Sequence, residues 1–198
     1  MFIDFSPIDN NEIKWVDFAK RFTVGDFKAA TNASIDAILD IIKDLNDAQV
    51  VFEPNDPTAD DPHAVPGEEH IGWSVAHVIV HTTASSEEGA AYSSLLARGI
   101  AYGREPRPRY ETNWRTVTTK AGCVQRLEES RRMRLAFLDT WPNNPHLEVY
   151  REVSERFLEK FGPMNAATSF LFGLKHEFNH HDQLREAARQ AREAVTAV

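Results

Sequence analysis

Two of the eight histidines in this chain, His176 and His180, stand four residues apart in the segment GLKHEFNHHDQL. On a helix that spacing stacks two side chains one turn apart on one face, so both imidazoles can reach a single ion. The stretch His176-Glu177-Phe178-Asn179-His180 also satisfies the H-E-x-x-H pattern, in which the glutamate activates a water on zinc. That chemistry needs a third ligand from a later element. The chain instead continues as His181-Asp182-Gln183, without the further glycine and histidine of the extended motif. Glu186 and Glu193 lie too far along the same helix to complete the site. His181, about 100° around the helix from His180, is expected to face away from an ion.

A third ligand must therefore come from elsewhere. His77, His81, Ala84, Glu88 and Leu95 form one stripe of an expected helix. A buried imidazole or carboxylate on that stripe is costly without a partner, which a metal or a core carbonyl would supply. Glu88, two turns beyond His81, is a candidate base or a partner that orients an imidazole. On another helical stretch Val124, Leu127, Leu135 and Leu138 mark an inward stripe whose central member is Arg131. A guanidinium there requires an anion, either a structural carboxylate such as Glu88 or an acidic group on a substrate. Glu88 and Arg131 are thus the candidate catalytic residues besides the histidines.

Arg104, Arg107 and Arg109 alternate with Tyr110 and Trp114 in a connecting segment. Such interleaving can bind single-stranded nucleic acid or capture an acidic thiol. In an acidic chain a solvated surface is the simpler expectation. Cys123, the only cysteine, lies beside Val124 and Leu127 with no adjacent histidine, and is expected to pack rather than react.

Two of these segments share a family likeness. Trp73-Ser74-Val75-Ala76-His77-Val78-Ile79-Val80-His81 resembles the second-helix signature of the DinB/YfiT-like superfamily. There an aromatic–Ser/Thr pair precedes a metal-binding histidine, eight residues after the aromatic. His176, His180 and Gln183 resemble its last-helix signature, H-x-x-x-H-x-x-Q. The resemblance implies a divalent ion on His81, His176 and His180, held between helices near one end of a four-helix bundle with one crossover. It further implies a metal-dependent hydrolase or a transferase of low-molecular-weight thiols. This chain departs from the pattern at His77, where Glu or Gln is common, and at Asp182, which replaces a small residue.

Three neutral imidazoles would leave coordination positions open, as catalytic sites do. Zinc suits the ligands best, with nickel, iron and manganese as alternatives. The expected function is a metal-dependent enzyme acting on a small molecule. A non-catalytic metal-binding or stress-response bundle that mediates association is the alternative.

The elements that must position these groups read as helices. Phe27, Thr31, Ile35, Ile38, Ile42 and Leu45 recur at steps of three and four, giving a helix over 24–45 behind a Thr23/Asp26 start. The Pro- and Asp-rich stretch EPNDPTADDPHAVPGEEH cannot continue it. Ser74 can cap a second helix to about Arg98, and a third fits Thr119 to Trp141. A shorter piece covers Leu147 to Phe161, and Gly162-Pro163 opens a last helix to about Ala191. Strand and hairpin signals are weak. The fold class is therefore all-α, a single four-helix-bundle domain over 1–198 with long connections that suit a crossover.

Against 22 basic side chains stand 30 acidic ones, a formal charge of −8, which disfavours a nucleic-acid or anionic-membrane surface. No apolar run reaches the ~18 residues of a membrane span. The opening MFIDFSPIDN shows no secretory leader, and the lone cysteine fits a reducing compartment, so a cytoplasmic protein is expected. A homodimer along a helix face is left open.

Overall fold

The computed structural model describes residues 1–62 and 64–195, and among them there are helices and no strand. The helices are α1 (Ser6–Asp9), α2 (Trp15–Ala19), α3 (Val24–Ile42), α4 (Asp47–Val50), α5 (Val75–Ala97), α6 (Lys120–Asp139), α7 (Glu155–Phe161), α8 (Ala166–Asn179) and α9 (His181–Val195). The four long units of the bundle are α3, α5, α6 and the α8–α9 pair.

Their starts follow from side-chain caps, each of which stabilises a helix by about 1 kcal/mol. Thr23 Oγ1 accepts from the Asp26 N–H at 3.2 Å while the Asp26 carboxylate accepts from the Thr23 N–H at 2.8 Å, closing a capping box on α3. Ser74 accepts from His77 N–H at 3.2 Å, and Thr119 accepts from Gly122 N–H at 3.0 Å. α8 is capped by Asn165, which accepts from Thr168 N–H at 3.0 Å, three residues after the expected Gly162-Pro163 start. Gly162 ends α7 at φ 79°, a conformation that suits a residue without a Cβ.

α5 packs chiefly on α8 and α6, and α3 packs on α6, α8 and α9. The long chain between α3 and α5, which includes α4, therefore joins two long helices that are not close neighbours. At one end the core is aliphatic, built from Ile35, Ile38, Ile42, Val75, Ile79, Leu127 and Leu184. At the other it is aromatic, with Phe5, Trp15 and Phe18 of the N-terminal segment closing over Phe27 and Phe170. Between α5 and α8 the backbones almost touch. A Cβ on Gly89 would stand 2.7 Å from the Ser169 carbonyl oxygen, and one on Gly173 would stand 3.0 Å from that of Ser85. This contact fixes how the face carrying His81 meets the face carrying His176. No described helix is long and apolar enough to cross a membrane.

Three details of the sequence reading are corrected. The buried stripe of α6 is Cys123, Leu127, Ser130, Arg134 and Leu138, so the inward guanidinium belongs to Arg134. Arg131 instead bonds Asp36 at 2.7 Å, Glu128 at 3.0 Å and Asn32 at 3.2 Å, across the α3–α6 surface and away from Glu88. One long last helix is in fact two, broken at His180, whose N–H turns to Glu177 O at 3.1 Å with neither Gly nor Pro to mark the break. The helical piece expected from Leu147 begins only at Glu155, behind the Ser154 cap.

Candidate metal centre

α5 and α8 bring three imidazoles to one point. One nitrogen each from His81, His176 and His180 lies within 4.8 Å of the others, and all three side chains are half-buried. His81 Nε2 and His176 Nε2 face each other at 2.9 Å. Two imidazole nitrogens gain little from that approach unless a proton or a cation stands between them.

The remaining nitrogens are held from outside. His180 Nδ1 is 2.6 Å from Gln183 Oε1, which leaves its Nε2 for the cluster. His81 Nδ1 lies 3.5 Å from Glu111 Oε1. Glu111 is in turn bound by Arg109, whose other nitrogen donates to Ser85 Oγ at 2.6 Å. An outer carboxylate or amide that fixes ring orientation and tautomer is the usual support of a ligating histidine. Trp73 walls one side, 4.7 Å from the His81 ring and 5.9 Å from that of His180.

The electrostatics favour the form that ligates. Burial, and then the neighbouring His180 and His81, push His176 down to about 3. Burial likewise lowers His180 and outweighs the bond from Gln183. Burial works against charge on Glu111, but bonding to His81 and Arg109 overcomes it and holds the carboxyl at about 2. Three imidazoles, one of them backed by an ionised carboxylate, form a donor set that could hold one divalent ion.

The H-E-x-x-H match does not carry its usual chemistry. Glu177 points the other way, into the core, where it accepts from Arg134 at 3.1 Å, Ser34 at 2.5 Å and Ser86 at 3.3 Å. His181 joins that network through Nε2, 3.2 Å from Ser34 Oγ. Asp182 is exposed and pairs with Arg185. Cys123 is buried among aliphatic side chains, and burial pushes its thiol up to about 12.

A cavity of about 680 Å³ opens beside His81 and His176 and runs along α5 past Glu88 and Tyr92. Arg131 does not line it. Glu88 does, and accepts from Arg107 at 2.7 and 2.6 Å, with Arg109 3.8 Å away. Arg107 and Arg109 of the 98–119 connection are thus tied down over α5. Trp114 of the same connection stacks on His77 at 4.6 Å, opposite Trp73 at 4.4 Å, and burial lowers His77 to about 4.

The sequence profile of the DinB superfamily matches residues 30–184, which contain all three histidines. The chain belongs to the DinB superfamily. No curated protein and no solved structure matches this DinB-superfamily chain.

Glu111 and Arg109 as supports of His81, and Arg151 at the far end of the cavity, went unseen in the sequence. The only signal for the first pair was the charge alternation of Arg107, Arg109 and Glu111 in a segment without periodicity. Arg151 sits in irregular chain and gave none.

Proposed function

We propose that this protein is a metal-dependent enzyme that transfers a low-molecular-weight thiol to a small electrophile, with His81, His176 and His180 holding the ion. The observation that carries the reading is the convergence of three imidazoles beside a cavity large enough for a small molecule. When bound there, a divalent ion would supply Lewis acidity, stabilising a thiolate at neutral pH or lowering the pKa of water.

Thiol transfer is preferred to hydrolysis because of what the chain's own carboxylates do. Glu111 is engaged by His81 and Arg109, Glu88 by Arg107 and Arg109, and Glu177 by Arg134 and Ser34. Asp61, the other acid at the histidine end, is also partnered. Hydrolysis is best served by a base near neutrality, and a carboxylate held at about 2 is a weak one. A thiol needs less help, since its proton leaves more readily and soft sulfur suits a zinc-like ion. In transfer the thiol S–H and the electrophile's bond to its leaving group break, an S–C bond forms, and the proton departs with the leaving group. His81, His176 and His180 fix the position of the reacting end, Trp73 excludes water from one side, and Cys123 takes no part. The fit to zinc, and the cytoplasmic setting in which reduced thiols abound, belong to the same proposal.

The test pairs zinc-loaded protein with several low-molecular-weight thiols and a generic electrophile, with His81→Ala as control. Conjugation above that control is expected. Turnover of esters or amides without any thiol would replace transfer by hydrolysis. Absence of both would leave a non-catalytic metal-binding bundle.

A further inference from the structure

We propose that the far end of the cavity, at Arg151, binds a carboxylate carried by an elongated substrate whose reacting end lies at the histidines. This rests on the catalytic reading above and names the substrate class it requires.

His81 and His176 line one end of the cavity, and Tyr92, Arg151, Phe157 and Ser169 line the other. Arg151 is fixed in place. Its N–H donates to Met164 O at 3.0 Å, and its guanidinium carbon lies 4.1 Å from the Tyr92 ring centre and 5.7 Å from that of Phe157. Cations so placed over aromatic faces keep their charge while losing water. Among the described residues Arg151 forms no ion pair, and its Nε is buried without a hydrogen-bond partner. Ser169 Oγ, on the same cavity, is a second buried polar atom without one. Burial lowers the Arg151 pKa, with Tyr92 and Glu88 opposing. An anion supplied from outside would repay that desolvation.

The neighbouring ion pairs leave Arg151 out. Arg107 and Arg109 are paired with Glu88 and Glu111, whereas the Arg151 guanidinium has no carboxylate partner among the described residues. Arg104, Glu105 and Glu152 also line the cavity and, like Arg107, they are exposed, where solvent screens them. Asp61 belongs to the histidine end, where its charge acts on His77. A guanidinium without an ion-pair partner matches a carboxylate, which it can bind through two parallel N–H bonds. Tyr92 stands about three turns beyond His81 on α5, so the ligand must span roughly 16 Å at 1.5 Å per residue. A short thiol would fill one end only.

Two arms test this. In the zinc-free protein, octanoate is expected to bind and shift the Arg151 Nε–H resonance, while octanamide binds at least tenfold more weakly. Arg151→Met should remove the preference and Arg151→Lys should keep part of it, both with unchanged melting behaviour. Equal binding of octanoate and octanamide, no octanoate binding, or an undiminished preference in Arg151→Met would each overturn the proposal. In the zinc-loaded protein, mercaptoundecanoate should outbind its alcohol about tenfold, and mercaptopropanoate should show no such advantage over mercaptopropanol. The same advantage at both lengths would refute the spanning geometry. Failure to bind zinc would sink the catalytic reading yet leave the first arm readable, so the two failures are distinct.

Discussion

Glu177 and Arg134 form an ion pair at 3.1 Å in the middle of the bundle, with both side chains almost wholly inaccessible to solvent. Glu177 follows the ligand candidate His176 directly, yet the helix turns it by about 100° into the core. One residue of α8 thus faces the candidate centre while the next pins α8 to α6 and, through Ser34, to α3. The pair makes Glu177 a structural group.

Removing one partner of a buried pair strands the other charge. Arg134→Met should therefore destabilise the protein by about 3–5 kcal/mol, read in denaturant unfolding. The double variant Arg134→Met, Glu177→Gln should recover part of the loss, because no bare charge is left behind. Metal content should be unchanged in the double variant. A loss of metal with stability intact would return Glu177 to the site.

The supports of the ligands should matter for metal affinity. Glu111→Gln and Gln183→Ala are each expected to weaken zinc binding by about 10–100-fold in competition with a chelator. Melting of the metal-free protein should barely move in Gln183→Ala. Unchanged affinity in both would mean that Glu111 and Gln183 orient nothing.

Acid should unfold the metal-free protein through its buried imidazoles. Unfolded histidines titrate near ~6.5, whereas His77 is held at about 4 and His176 at about 3. Between those limits the unfolded chain binds more protons, so stability is intact above about pH 6.5 and declines as pH falls toward 4 and then 3. The melting midpoint, followed from pH 7.5 to 4, should fall, and it should fall less in His77→Asn. Equal slopes in the two proteins would contradict the assignment for His77.

The thiol offers an independent check on the core. With the Cys123 pKa at about 12, the thiolate is scarce at pH 8. Cys123 should resist a thiol-reactive reagent in the folded protein and react fully once unfolded. Rapid labelling of the native state would show that the α3–α5–α6 core opens.

Much of this was legible in the sequence. Helix starts were, because Thr23, Ser74 and Thr119 announce themselves by type, and the α3 face was, because its aliphatic residues recur at three and four. His81, His176 and His180 were, because short motifs mark them. The α6 face was misread because its buried stripe contains Ser130 and Arg134, which hydrophobic periodicity excludes, while Leu135 only partly buries. The break at His180 has no Gly or Pro to signal it. Contacts made by irregular chain, such as Arg107 on Glu88, depend on how a long connection folds over α5, and no spacing rule encodes that.

Metal content decides the central claim most directly. The protein, purified without an affinity tag and dialysed against zinc, should carry one ion per chain by elemental analysis. His176→Ala, His180→Ala should carry none, and His181→Ala should keep the ion. A zinc-free wild type, or an ion retained by the double variant, would contradict the assignment of the three histidines as the metal centre.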